Sequence, residues 1–184
     1  MFIKVCGLKT FEQIDKAIEL GYDAIGVVVY KKSIRYCTSE KAIELANYAK
    51  GKIKTFVVSL TFDEVKDVAD YFDYIQIYEK IDIDNFAYSS KDHPGKTKCK
   101  YFVYDASIGS GEFKKFPSWI KNIDQKLILA GGLNNNNVCS TIKEIRPFGV
   151  DVSSGVETDG VKDFDLMKDF IESVKSCISE TSNN

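Results

Sequence analysis

Short apolar runs alternate along this chain with segments whose apolar positions recur every three or four residues, and one run follows another at intervals of about 20–25 residues. Phe2 to Cys6 predicts a strand. Thr10-Phe11-Glu12-Gln13 reads as a capping box that opens a helix with Phe11, Ile14, Ala17 and Ile18 on one face, and Gly21 closes it. Ala24 to Val29 is continuously apolar and β-branched, as expected of a strand buried on both faces of a parallel sheet. A helix starts at Ser39 and runs through Ile43, Leu45 and Ala46. Lys54 to Leu60 predicts a strand, Asp63 to Tyr71 a helix with Val65, Val68 and Ala69 inward, and Tyr74 to Tyr78 another strand.

The rhythm resumes with strands at Tyr101 to Tyr104, Lys126 to Ala130 and Gly149 to Val152. Pro117 to Ile123 reads as a short helix, Asn137 to Ile145 as a helix capped by an Asn run, and Asp163 to Ile178 as a long final helix. Between Ile77 and Tyr101 the pattern fails, and Phe86-Ala87-Tyr88 fits either a strand or a helical turn. A closed barrel needs a strand there, because a gap would leave two edges of unpaired backbone groups. The expected architecture is therefore α/β, a (β/α)8 TIM barrel forming a single domain over residues 1–184, with reduced or missing helices in the fourth and fifth units. An open doubly wound sheet is the alternative. It would call for a Gly-rich loop after the first strand, where Cys6-Gly7-Leu8-Lys9-Thr10 offers one glycine.

Charge narrows the partners. With 25 Lys+Arg against 27 Asp+Glu the net charge is −2, and no basic run is interleaved with aromatics, so a small-molecule partner is expected rather than nucleic acid. No apolar run approaches the ~20 residues of a membrane span, and the start of the chain lacks a basic leader, so a cytoplasmic protein without a membrane partner is expected. The five cysteines, Cys6, Cys37, Cys99, Cys139 and Cys177, show no C-x-x-C pair and read as reduced thiols. The single histidine, His93, sits among turn formers and offers little for a catalytic triad or a metal site.

Barrel enzymes place their chemistry at C-terminal strand ends and often hold phosphate with the loops after strands seven and eight. Gly131-Gly132 and Ser153-Ser154-Gly155 occupy those places, and their small residues leave backbone N–H groups open to an anion. For either loop alone, a tight turn is an equally good reading. The other strand ends supply Cys6, Asp105 and Asp151, with Arg35 in the loop after the second strand. Cys6 could be a small buried hydrophobe, or a thiol brought toward working pH by neighbouring N–H groups or cations. Asp105 could cap a loop, or be a desolvated carboxyl able to act as an acid.

Four blocks carry a family resemblance: Lys4-Val5-Cys6-Gly7-Leu8-Lys9, Tyr30-Lys31-Lys32-Ser33-Ile34-Arg35-Tyr36, Leu129-Ala130-Gly131-Gly132-Leu133-Asn134 and Val150-Asp151-Val152-Ser153-Ser154-Gly155-Val156-Glu157. In order and content they resemble the phosphoribosylanthranilate isomerase family. The resemblance implies an enzyme of tryptophan biosynthesis that isomerises N-(5′-phosphoribosyl)anthranilate by an Amadori rearrangement with general acid and base and no cofactor or metal. It matches Cys6 to the base at the C2′ proton, Asp105 to the acid at the ring oxygen and Arg35 to the anthranilate carboxylate. Gly131, Gly132, Ser153, Ser154 and Gly155 match the phosphate site, and Asp151 a substrate-side carboxylate.

The chain departs from the family's Gln-Leu-His-Gly at the fourth strand end, where it has Gln76-Ile77-Tyr78-Glu79. It departs again after Asp105, where Gly109-Ser110-Gly111 leads to Glu112-Phe113-Lys114-Lys115-Phe116. Two other readings follow from these departures and the shared phosphate loops: a degenerate barrel that binds a phosphate ligand without turnover, and a related sugar-phosphate isomerase. Cys6 in place of a strand-one aspartate argues against the second. A monomer and a homodimer are both compatible with the apolar stripe of the final helix.

Overall fold

A computed structural model describes residues 1–107 and 115–182. Eight parallel strands close on themselves in chain order: β1 (Phe2–Cys6), β2 (Ala24–Val28), β3 (Lys54–Val58), β4 (Tyr74–Ile77), β5 (Phe86–Ser90), β6 (Tyr101–Asp105), β7 (Leu127–Ala130) and β8 (Gly149–Val152), with β8 pairing back onto β1. The ambiguous segment is thus a strand. β5 pairs Ile75 with Phe86 on one side and Ala87 with Tyr101 on the other, which satisfies the backbone groups that a gap would have stranded. The closed ring rules out the open sheet.

Among the described residues, four α-helices pack outside: α1 (Phe11–Leu20), α2 (Ser39–Ala49), α3 (Val138–Ile145) and α4 (Phe164–Ser182). Thr10 caps α1 by accepting from the Gln13 N–H, and the Gln13 side chain turns back to accept from the Lys9 N–H, so the box closes one residue early. Gly21 ends α1 in the left-handed conformation at φ 86°. Before α3 the Asn run acts differently from the expected cap: Asn137 donates to Gly132 O and accepts from Asn134 N, so it folds the β7 loop.

Helix loss extends further than the fourth and fifth units. The segment Asp63 to Tyr71 forms successive turns and a 3-10 turn at Ala69–Tyr71 instead of the expected helix, and only a 3-10 turn, Ser118–Asn122, precedes β7 among the described residues. Val65, Val68 and Ala69 are buried as expected. The Glu64 carboxylate holds the start of the segment in a turn by accepting from Ser59 Oγ and the Leu60 and Thr61 N–H groups, a local alternative to helical hydrogen bonding. Where helices are missing, aromatic rings cover the strands: Trp119 packs edge-on against Tyr104 and His93, with centroids 5.6 and 5.1 Å away. His93 therefore has a packing role, and its Nδ1 accepts from the Gly95 N–H.

Inside the barrel, alternate residues of each strand form layers. Phe2, Phe56, Tyr74 and Tyr101 close the N-terminal end, with Phe56 and Tyr74 centroids 4.7 Å apart and Phe2 and Tyr101 5.5 Å apart. Lys4 lies above this plug, its ammonium 5.4 Å from the Phe56 ring centre. One period further along, Cys6, Tyr78 and Asp105 reach the open end.

Candidate active site

A single cleft at the C-terminal mouth is lined by Cys6, Arg35, Asp105, Asp151 and the two small-residue loops. Cys6 ends β1 and Asp105 ends β6, so the thiol and the carboxyl project into the cleft from strands three places apart around the ring.

Cys6 stands on a buried ion pair that the sequence reading did not include. Lys4, fully buried, donates to Asp151 Oδ2 at 2.7 Å and reaches the Cys6 sulfur. Burial alone would lower the Lys4 pKa, but the Asp151 carboxylate and Cys6 outweigh it, and the ammonium is held above the ordinary lysine range. Glycine 26 makes the arrangement possible, since a Cβ there would lie 2.7 Å from Cys6 Sγ and 3.1 Å from Lys4 Nζ. The expectation of a thiol brought down toward working pH is corrected: burial pushes the Cys6 thiol up, and the pull of Lys4 and Lys162 does not fully offset it. Asp151 lines the cleft, and its Oδ1 is buried without a hydrogen-bond partner among the described residues.

Asp105 is gripped by donors rather than left in an apolar pocket. Tyr78 Oη donates to its Oδ2 at 2.7 Å, while the Ser107 N–H and Oγ–H donate to Oδ1 at 3.0 and 2.6 Å. Gly131, at φ 84°, brings the β7 loop against this group; a Cβ there would stand 2.8 Å from Asp105 Oδ1.

Arg35 lies over Gly7, whose φ is 84° and where a Cβ would meet Arg35 Cδ at 2.4 Å. Its Nε and Nη2 donate to Glu157 at 2.7 and 2.6 Å. One edge of the guanidinium is thus engaged within the protein, and a bound carboxylate would take the other edge, Nη1 and Nη2. Glu157 belongs to a small antiparallel hairpin, β9 (Glu157–Thr158) and β10 (Val161–Lys162), and Lys162 also pairs with it. Lys162 donates further to Ser153 O at 3.0 Å, linking the Arg35 anchor to the loop after β8.

The two loops meet as one surface. Gly155 packs so closely on the β7 loop that a Cβ would stand 1.9 Å from Leu133 O. Gly131, Gly132, Ser153 and Ser154 line the cleft, but Gly155 does not, and the Ser153 hydroxyl is used in donating to Cys6 O at 2.9 Å. Gly155 therefore serves the approach of the loops, and Ser153 ties β8 to β1. Gly155→Ala is expected to force the loops apart and destabilise the fold by about 1–3 kcal/mol, the usual cost of overpacking, visible as a melting temperature several degrees lower. An unchanged melting curve would contradict the close approach. The Gly109-Ser110-Gly111 loop and Glu112, Phe113 and Lys114 lie outside the described residues.

Comparison with known proteins gives the family independently of the geometry. Residues 96–173 match the family model described as N-(5′-phosphoribosyl)anthranilate (PRA) isomerase. The N-(5′-phosphoribosyl)anthranilate isomerase of Streptococcus pneumoniae R6 is 35% identical, with 97% of this chain and 98% of that protein covered. The crystal structure of TrpF from Jonesia denitrificans superposes with a TM-score of 0.81 at 27% identity, covering 97% and 98% of the two chains. A phosphoribosyl anthranilate isomerase solved in complex with reduced 1-(o-carboxyphenylamino)-1-deoxyribulose 5-phosphate superposes with a TM-score of 0.71 at 28% identity, covering 96% and 99%.

Proposed function

Because this chain belongs to the N-(5′-phosphoribosyl)anthranilate isomerase family, we propose that Cys6 and Asp105 are the base and the acid of its Amadori rearrangement. The enzyme is an isomerase of tryptophan biosynthesis, converting N-(5′-phosphoribosyl)anthranilate to 1-(2-carboxyphenylamino)-1-deoxyribulose 5-phosphate. The observation that carries the assignment is the convergence of a thiol, a carboxyl and two adjoining small-residue loops on one cleft.

Backbone N–H groups of the loops at Gly131-Gly132 and Ser153-Ser154 take the phosphate, and the outer edge of Arg35 takes the anthranilate carboxylate. Held at both ends, the ribose presents its ring oxygen to Asp105 and its C2′ hydrogen to Cys6. The carboxyl proton of Asp105 passes to the ring oxygen, the C1′–O bond breaks toward that oxygen, and the nitrogen lone pair closes a C1′=N bond. The Cys6 thiolate then removes the C2′ proton. The C–H pair forms C1′=C2′ and the C1′=N pair returns to nitrogen, giving an enolamine that tautomerises to the ketone by losing the enol proton and gaining one at C1′. The substrate gains one proton from Asp105 and gives one to Cys6, so its own count is unchanged, and proton exchange with water returns the thiol and the carboxylate to their starting states. Asp151 stands on the substrate side of the cleft, paired with Lys4, which offers the thiolate a cation in a setting of low dielectric.

The loss of phosphoribosylanthranilate fluorescence tests the reading, with turnover by the wild type expected; binding without turnover would overturn it. The pH dependence has a definite sign. Only the thiolate acts as base, and burial holds the thiol above its ordinary value. Alkylation of Cys6 by iodoacetamide, which follows the thiolate alone, is therefore expected to accelerate with pH on the alkaline side of the ordinary thiol pKa of ~8.5. Full-rate alkylation at neutral pH would contradict it.

A further inference from the structure

Tyr78 is placed to serve the acid step. It follows β4, whose inward positions Tyr74 and Gln76 continue by alternation to Tyr78, and its backbone N–H is fixed by donation to Leu60 O at 3.0 Å. The ring lines the cleft, and its hydroxyl donates to Asp105 Oδ2 at 2.7 Å. Ser107 holds the other carboxyl oxygen, so Tyr78 bridges β4 to the oxygen that Ser107 leaves to it. Burial and the neighbouring Asp105 push the phenol well above its ordinary value. It keeps its proton across the working range and acts as a fixed donor.

From this geometry we infer that Tyr78 is a positioning residue of the isomerisation, which aims the Asp105 carboxyl at the ring oxygen and stabilises the carboxylate formed as its proton leaves. The inference rests on Asp105 being the acid. In the step, one proton moves from Asp105 to the ring oxygen and the C1′–O pair follows onto that oxygen, while Tyr78 retains its own proton throughout. A hydrogen bond to a carboxylate is about twice as strong as one to a neutral carboxyl. The contact therefore gains strength as the step proceeds, so it lowers the barrier more than it aids substrate binding. If the contact served only to join β4 to β6, it would contribute to folding and leave kcat unchanged.

Tyr78→Phe keeps the ring and removes the donor. Its kcat is expected to fall about 10–100-fold, the worth of one hydrogen bond to a charged group, while KM stays within about threefold. Tyr78→His, which keeps a ring N–H donor, is expected to recover most of the loss. Because the effect passes through Asp105, adding Tyr78→Phe to Asp105→Asn is expected to lower the residual kcat no further. Wild-type kcat in Tyr78→Phe, or a full additional loss in the double variant, would overturn the inference. Turnover preserved in Asp105→Asn would instead show that the acid itself is misassigned, and the two failures are told apart in the same set of proteins.

Discussion

Cys6→Ala is expected to lose about 10²–10⁴-fold in kcat, the usual contribution of a positioned general base, and to keep a KM close to that of the wild type. The asymmetry follows from the division of labour in the cleft. On the proposed assignment, binding is carried by the small-residue loops and by Arg35, whose anchor on Glu157 does not involve the Cys6 side chain. Proton removal from C2′ is assigned to the sulfur alone. Alanine leaves no group at that point, and Lys4, paired with Asp151, holds its proton too firmly to act as a base. The change removes one sulfur from a site whose backbone is tied by Ser153 Oγ and by the pairing of Cys6 with Gly26, so the variant folds. Initial rates by fluorescence, beside a melting curve, check both halves. Wild-type kcat in this protein would remove the base assignment.

Asp105→Asn is expected to lower kcat by a similar factor, about 10²–10⁴. The amide has the shape of the carboxyl, so the contacts that hold it are largely kept. Its oxygen can accept from the Ser107 N–H and Oγ–H, and its NH2 can donate to the Tyr78 hydroxyl, which then serves as acceptor. What asparagine cannot do is deliver a proton to the ring oxygen, and without that proton the C1′–O bond breaks toward an uncompensated alkoxide. Substrate affinity measured by equilibrium binding should change little while turnover falls. A variant that binds and turns over like the wild type would show that ring opening draws its proton from elsewhere.

The strands were readable because a parallel strand buried on both faces needs a continuous apolar run, and Ala24 to Val28 or Leu127 to Ala130 can be little else. Closure found β5, where local pattern could not: Phe86–Ser90 is a strand because it pairs with β4 and β6, whose facing backbone would otherwise be left unpaired. The helix expected at Asp63 to Tyr71 failed on the converse point, since correct inward positions at Val65 and Val68 do not fix the backbone where the Glu64 carboxylate holds the segment's start in a turn.

The site divides in the same way. Cys6 and Asp105 follow from a rule about strand ends. The ion pair below Cys6 joins residues 147 positions apart, and no local signal gives that distance. A lysine two residues before a strand-end cysteine was the available clue, because period-2 alternation turns both inward. Tyr78 was visible as a departure from the family pattern, but its bond to Asp105 depends on β4 and β6 facing the same cleft. The Glu157 anchor of Arg35 likewise appears only when the β9–β10 hairpin folds over the mouth.

The central claim is that one thiol and one carboxyl act in sequence on a single bound ribose. Release of tritium from C2′ of labelled N-(5′-phosphoribosyl)anthranilate into water tests it most directly, because it reads the bond that Cys6 breaks after Asp105 has opened the ring. The wild type should release label in step with product, and Cys6→Ala and Asp105→Asn should each slow that release by about 10²–10⁴-fold. Release at the wild-type rate from Cys6→Ala would contradict the account.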